Sequence, residues 1–287
     1  MIVIFNIELQ EIRSMGAGNF NYQDVLAYLD VEAQSPSLTY LQQLIQAYTR
    51  TVPWESASRI AKRASISQTA QCPRLPQEFW RDALRYGTGG TCYESNLAFF
   101  TVLKSLGFEG YLTINNMSES IGCHSAGVIF LDGQKYLVDV GLPIYAPLLI
   151  SENEPVQTTS RFHTYTVTPQ GNDRYEISRD NHFRAYCFTL VDIPINDIDY
   201  RAITTNDYGE EGLFLDRIVM HLIVDGVQWR FGSDTIPYQM EKFVDGEKSY
   251  YLLEGDLKSV ATQVGNKFGL DEDILYNALT ALEGKQA

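Results

Sequence analysis

Residues 124–141 read HSAGVIFLDGQKYLVDVG. Two apolar runs flank Asp132-Gly133, and an Asp-Gly pair in that setting signals a two-residue hairpin, because both turn positions take positive φ. The stretch therefore predicts two antiparallel strands. Period-two alternation continues in both directions: YLTINN from Tyr111, FHTYTVTPQGNDRYEISRD from Phe162 and FRAYCFTLVDI from Phe183. Pro169-Gln170-Gly171-Asn172 is read as a second turn. After Pro194 and a polar stretch, LDRIVMHLIVDGVQWRFGSDTIPYQM and KSYYLLEG predict further strands.

Upstream of Tyr111 the period is helical. YQDVLAYLDV and LTYLQQLIQAYTRTV repeat apolar residues at i, i+3, i+4 and i+7, with Leu38, Leu41, Leu44, Ile45 and Tyr48 on one face. Ser35, Pro36 and Ser37 supply the loop and N-cap before the second helix. QEFWRDALRYG predicts a short amphipathic helix closed by Gly87, and CYESNLAFFTVLKSLGF an apolar one with Cys92 in its first turn. LKSVATQVGNKFGL and DEDILYNALTALEG predict two helices at the end of the chain. Helices, then strands, then strands with helices make an α+β protein.

Of the 287 residues, 45% are hydrophobic and 20% charged, as in a folded globular protein, and the net charge of −14 opposes nucleic acid and anionic membrane as partners. Four scattered cysteines (Cys72, Cys92, Cys123, Cys187) form neither a disulfide framework nor a C-x-x-C metal motif, so no metal is expected. MIVIFNIEL lacks the basic region and apolar run of a signal peptide, and no segment approaches a membrane span. A cytoplasmic protein with reduced thiols is expected. The recognisable pattern begins at Met15, and residues 1–14 read as an appendage or a misassigned start.

Chemistry concentrates at three residues. In TGGTCYESN (88–96), Gly89-Gly90 permits a sharp turn and a close backbone approach just before a helix start. A thiol at a helix N-terminus gains from the dipole and the open N–H groups, which also suit an oxyanion. An imidazole is the usual activator of a thiol, and His124 stands where the hairpin begins. Asp139 is an acid within an apolar strand and needs a partner. With the turn at 132–133, residues 124 and 139 fall nearly opposite each other, the arrangement in which a carboxylate orients an imidazole. Each residue also has an ordinary reading: Cys92 as a small buried hydrophobe, His124 as a hydrogen-bonded structural residue, Asp139 as the cap of a turn at Gly141. The matching register favours a Cys92-His124-Asp139 triad. Cys123 is expected on the face opposite His124, while His163, His182 and His221 are placed on strands as ordinary residues. Glu94 and Asn96 are read as satisfying buried amides around the Gly-Gly turn.

Several stretches together resemble the arylamine N-acetyltransferase family. VPWESAS (52–58) is similar to its I-P-F-E-N-L segment, TGGTCYESN to its R-G-G-x-C-x-E-x-N, and the stretch from His124 to Gly141 to its H…YLVDVG. The match is good over about residues 23–150. The resemblance implies a thiol-protease-like core divided into a helical domain (1–110), an antiparallel β-barrel (111–200) and an α/β lid (201–287). It implies ping-pong acyl transfer from acetyl-CoA, or another acyl thioester, through Cys92 to an arylamine or hydrazine nitrogen. Trp54, Tyr93 and Ser125 are then candidates for acceptor contacts, and Gly141 and Leu142 for cofactor contacts.

The departures from the family pattern are specific. Thr88 replaces the arginine before Gly-Gly, so Glu55 loses that partner unless Arg85 or Arg59 substitutes. Ser56 and Ala57 replace Asn-Leu, and Gly141-Leu142-Pro143 replaces G-F-G, with Pro143 removing an amide donor. The altered loop favours an amide synthase using a chain bound to an acyl carrier protein as the alternative. A thiol hydrolase or amidase, and a non-catalytic homologue binding a small aromatic ligand, are the others.

Overall fold

The computed structural model describes residues 21–180, 182, 184–244 and 247–286, so residues 1–14 lie outside the described residues. Helix α1 (Tyr22–Leu29) starts at Asn21, whose side chain accepts the Gln23 amide. Helix α2 (Leu38–Thr51) starts at Ser37, whose hydroxyl accepts the Tyr40 amide at 3.2 Å. Leu41, Leu44, Ile45 and Tyr48 of α2 are buried as their spacing predicts, whereas Leu38, in the first helical position, is exposed. The two-residue strand β1 (Trp54–Glu55) leads into helix α3 (Ala57–Ser65), then helices α4 (Pro76–Tyr86) and α5 (Cys92–Ser105). Gly87 closes α4 in the left-handed conformation expected of a C-cap glycine. Helices α1, α2, α4 and α5 share a core that includes Leu44, Tyr48, Trp80, Phe99 and Ile129.

Eight antiparallel strands follow or interleave: β2 (Glu109–Met117), β3 (Ser120–Leu131), β4 (Gln134–Val138), β5 (Leu148–Ile150), β6 (Val156–Thr159), β7 (Thr164–Gly171), β8 (Arg174–Arg179) and β9 (Tyr186–Val191). Their order is β5-β4-β3-β2-β9-β8-β7-β6, and the outer strands β5 and β6 contact each other, so the sheet is a nearly closed barrel. Asp132 (φ 50°) and Gly133 (φ 75°) form the hairpin turn the sequence predicts. The second turn falls at Asn172-Asp173 (φ 53° and 55°), and not at 169–172. Both turn positions need left-handed backbone, which Asn and Asp tolerate and which the proline ring forbids.

Helix α6 (Asp197–Asn206) occupies the polar stretch after Pro194, capped by Asn196 on the Asp199 amide at 2.9 Å. Strands β10 (Val219–Val224), β11 (Val227–Gly232), β12 (Gln239–Val244) and β13 (Glu247–Leu252) complete a second antiparallel sheet with β1 at its edge. Helices α7 (Leu257–Phe268) and α8 (Glu272–Gln286) cover it. Ala57 and Ile60 of α3 pack into this C-terminal core with Val260, Leu275 and Leu279. Through β1 and α3, the segment ahead of Cys92 is therefore anchored in the second sheet, although it is adjacent in sequence to the first helices. No described helix is long and apolar enough to cross a membrane.

Candidate active site

Cys92 is the first residue of α5, with Thr91 as its N-cap, so its side chain stands at the amide end of the helix. The approach to it is narrow. A Cβ on Gly89 would lie 1.6 Å from the Pro53 carbonyl oxygen, and neither Gly89 nor Gly90 takes positive φ. Gly89 is thus required by the closeness of two backbones, with no left-handed turn involved, while a Cβ on Gly90 would crowd the Phe79, Arg74 and Glu94 side chains at 3.0, 3.2 and 3.3 Å. A backbone bridge from Gly90 to Trp54 continues that contact into β1.

His124 and Asp139 meet as the hairpin predicts, on a diagonal. In the β3–β4 register Gly127 faces Val138, which places Asp139 level with residue 126, two positions from His124 on the same face. His124 Nε2 lies 2.6 Å from Asp139 Oδ2. The other oxygen, Oδ1, accepts from Asn96 Nδ2 (3.0 Å), Gly141 N (2.8 Å) and Leu142 N (2.9 Å). Asp139 is fully buried and therefore both orients the imidazole and caps the turn at Gly141. Burial acts to lower the His124 pKa, but the charge and hydrogen bond of Asp139, with the Cys92 side chain, outweigh it and raise it to about 10. With Nε2 on Asp139, Nδ1 is the nitrogen left for Cys92. The ring packs on Phe188, 4.6 Å between centroids.

Asn96, one helical turn beyond Cys92, does more than satisfy amides. Its Nδ2 also donates to the Ser125 carbonyl (2.7 Å) and its Oδ1 accepts from Val140 N (3.0 Å), so it ties α5 to β3 and to the turn after β4. Ser125 and Tyr93, the expected acceptor contacts, hold the helix that starts at Cys92: Ser125 Oγ donates to the Cys92 carbonyl (3.1 Å), and the Tyr93 hydroxyl donates to the Gly122 carbonyl. Tyr200 from α6 donates to the Tyr93 carbonyl at 2.7 Å and stands 3.0 Å from Ser125 Oγ. Trp54 is half-buried, edge-on to Phe214 at 5.0 Å, and its Nε1 has no hydrogen-bond partner among the described residues. The Gly141 and Leu142 amides, expected to face a cofactor, are both engaged by Asp139. Cys123 is partly exposed, its Sγ 3.3 Å from the Ser120 carbonyl, while its own carbonyl lies 3.8 Å from Cys92 Sγ.

Neither Arg85 nor Arg59 compensates for Thr88. Arg85 lies over Tyr86, and Arg59 pairs with Asp207 at 2.7 Å beneath the Tyr208 ring. Glu55 accepts instead from Ser58, through its amide (2.9 Å) and hydroxyl, and from the Gly89 amide (3.1 Å). An arginine does reach the glycine loop from another segment: Arg74 Nη2 donates to the Gly89 carbonyl (2.7 Å) and to Glu94 Oε2 (2.7 Å), and the Arg74 amide donates to Glu94 Oε1 (2.7 Å). Arg74 Nε also donates to Glu94 Oε2 (3.2 Å), and Tyr208 adds a fourth hydrogen bond to Glu94 at 2.6 Å. Burial alone would raise the Glu94 carboxyl, but Arg74 and these hydrogen bonds bring it below its ordinary range. Arg74 and Tyr208 carry no sequence signal, since each is distant in the chain from the residue it serves. Asn196, by contrast, announces α6 and hence Tyr200 by its capping pattern with Asp199.

These contacts set the Cys92 thiol at a helix N-terminus beside a buried imidazole and carboxylate. The chain belongs to the arylamine N-acetyltransferase family, whose model, described as N-acetyltransferase, matches residues 37–271. Among solved structures it is similar to the arylamine N-acetyltransferase of Mycobacterium smegmatis, at 17% identity and a TM-score of 0.76 over 92% of this chain and 100% of that one. It is also similar to the Mycobacterium marinum enzyme in complex with CoA, at 18% identity and a TM-score of 0.74 over 90% and 98% of the two chains. A Bacillus cereus arylamine N-acetyltransferase with a Cys-His-Glu triad matches at 19% identity and a TM-score of 0.71 over 88% and 100%. No curated protein sequence matches the chain.

Proposed function

We propose that Cys92, His124 and Asp139 act as nucleophile, base and orienter in a two-step acyl transfer from a thioester to an amine nitrogen. The observation that carries this reading is the buried 2.6 Å contact between Asp139 Oδ2 and His124 Nε2, beside a cysteine at a helix N-terminus. In the first step Cys92 Sγ, with its proton held on His124, attacks the thioester carbonyl. The donor's C–S bond breaks, and the departing thiolate takes the proton from the imidazolium. In the second step the amine nitrogen attacks the Cys92 thioester, the new C–N bond forms, and the C–S bond to Cys92 breaks. His124 accepts the amine proton and returns one to the sulfur.

The M. marinum complex supports CoA as the donor's carrier, and the family supports an arylamine or related nitrogen as acceptor. Four free cysteines suit a reducing compartment such as the cytoplasm. A second reading keeps the same chemistry with an acyl chain on a carrier protein. It is favoured by the 141–143 loop, whose two amides are bonded to Asp139 and whose third residue is proline. Intact mass after mixing with acetyl-CoA, and separately with p-nitrophenyl acetate, tests both. One acetyl group on Cys92 from both reagents supports the first reading, and labelling by the ester alone supports the second. Labelling by neither rejects the nucleophile.

A further inference from the structure

The three histidines other than His124 gather near one arginine. Arg179, at the end of β8, places Nη2 3.1 Å from His182 Nδ1, which also accepts the Arg184 amide at 3.1 Å. The His163 and His182 rings lie 5.9 Å apart, edge to face, and His163 lies 5.9 Å from the Tyr165 ring and 6.4 Å from the Tyr145 ring. His163 and His182 stand in loops, off the strands expected for them, while His221 lies on β10 of the second sheet, near enough to feel the charges of Arg179 and His163. The charged groups acting on His221 are Arg179, Arg230 and His163.

In a chain with a net charge of −14, no ion pair among the described residues joins Arg179 to a carboxylate. The closest acid in sequence, Asp180, directs Oδ1 at the Thr164 amide (2.6 Å), and its carbonyl lies 3.0 Å from His163 Nδ1. Glu241 is taken by Arg230 (3.3 Å) and Lys248 (3.1 Å). Among the described residues Arg179 has no carboxylate partner, and its buried Nε has no hydrogen-bond acceptor. Burial, then Arg179, lowers the pKa of all three imidazoles. A half-buried guanidinium with a buried open donor, beside imidazoles held toward their neutral form, is incomplete without an anion.

The cluster adjoins the triad from two sides. His221 is the cross-strand partner of Trp54, which bridges to Gly90, two residues before Cys92. Cys187 on β9 is subject to the charges of both Arg179 and Asp139, and the next residue, Phe188, packs on His124. The Tyr145 hydroxyl, accepting from Gln228 Nε2 at 3.1 Å, joins the loop after Asp139 to β11 alongside them.

We propose that Arg179, with His163, His182 and His221, forms an anion site that holds the phosphate of a phosphopantetheine thioester while its acyl carbonyl reaches Cys92. The inference rests on the acyl-transfer reading and supplies the phosphate contacts that the 141–143 loop does not offer. The phosphopantetheine phosphate is common to coenzyme A and to acyl carrier proteins. A guanidinium and imidazoles that protonate on contact with the anion match its charge and acceptors.

The first test uses the wild-type protein, with inorganic pyrophosphate as the probe and the imidazole protons followed by NMR. Saturating pyrophosphate is expected to raise the titration midpoints of His163, His182 and His221, and midpoints that stay in place overturn the site. The second compares acetyl-CoA with acetyl-pantetheine, which has no phosphate. Arg179→Gln is expected to raise KM for acetyl-CoA at least about tenfold, Arg179→Lys less, with acetyl-pantetheine unaffected. An equal loss with both donors overturns the proposal. An Arg179-dependent KM with an acyl carrier protein, and not with coenzyme A, supports the site and assigns the carrier as its source. Acetylation of Cys92 by p-nitrophenyl acetate separates the two levels. No labelling of wild type rejects the acyl-transfer reading, whereas labelling with thioester use indifferent to Arg179 rejects the anion site alone.

Discussion

Gly141 packs against Cys92 so closely that a Cβ at position 141 would stand 2.4 Å from Cys92 Cα and 2.5 Å from Asn96 Nδ2. The turn after Asp139 and the start of α5 are thereby in direct backbone contact. Gly141→Ala is expected to displace Cys92 from His124 without unfolding the core. The rate of acetylation by p-nitrophenyl acetate should fall on the order of a hundredfold, because misplacing a reacting atom by about an ångström has that effect. Wild-type rates in the variant would show that this contact does not position the thiol.

Asn96 serves Asp139, Val140 and Ser125 at once. Asn96→Ala leaves buried groups unpaired at about 1–3 kcal/mol each, so the urea midpoint should drop and Cys92 acylation should slow. A variant that loses stability but keeps the full acylation rate would make Asn96 structural only.

Arg74 and Glu94 form a buried pair beneath the Gly89-Gly90 loop. Removing one member of such a pair costs about 3–5 kcal/mol, because the other is left charged and unpaired. Arg74→Met should therefore destabilise strongly, and Arg74→Met with Glu94→Gln should recover a large part of the loss. Equal urea midpoints for the single and double variants would count against a charge effect.

His124 titrates at about 10 in the folded protein, above its ordinary value of 6.5. Its contribution to stability is then complete below pH 6.5 and declines as pH rises toward 10. The difference in urea midpoint between wild type and His124→Gln should shrink across that window. A constant difference from pH 6 to 10 would mean that the imidazolium–carboxylate pair is not what holds these strands together.

His221 behaves in the opposite sense. Burial, then Arg179 and Arg230, pushes it down to about 4, so its neutral form contributes stability that is complete above pH 6.5 and is lost as pH falls toward 4. His221→Gln should therefore flatten the acid limb of the stability profile, measured by urea unfolding between pH 4 and 7.

Much of the site was legible because its signals are local. Asp132-Gly133 sets a two-residue turn, the turn sets the strand register, and the register brings His124 to Asp139. Gly89-Gly90 followed by an apolar helix places Cys92 at a helix start. What local rules could not reach is which distant group completes each contact. Helix α3 falls in the stretch read as helical but is not marked out within it, because its burial comes from small residues and Ile60 packing on C-terminal elements, and the Ile and Thr residues of α6 obscure a helix that only the cap announces. The loss of arginine at position 88 predicted a gap at Glu55, yet Ser58 and the Gly89 amide fill it, and Arg74 comes from a separate segment to hold the loop. The grouping of His163, His182 and His221 around Arg179 joins two sheets and is invisible along the chain. The amino-acid sequence by itself determined the helix that starts at Cys92 and the hairpin that brings His124 to Asp139. Only the tertiary structure decided how the buried charges are paired, because pairing depends on which side chains the packing of separate segments brings within hydrogen-bond reach once water is excluded.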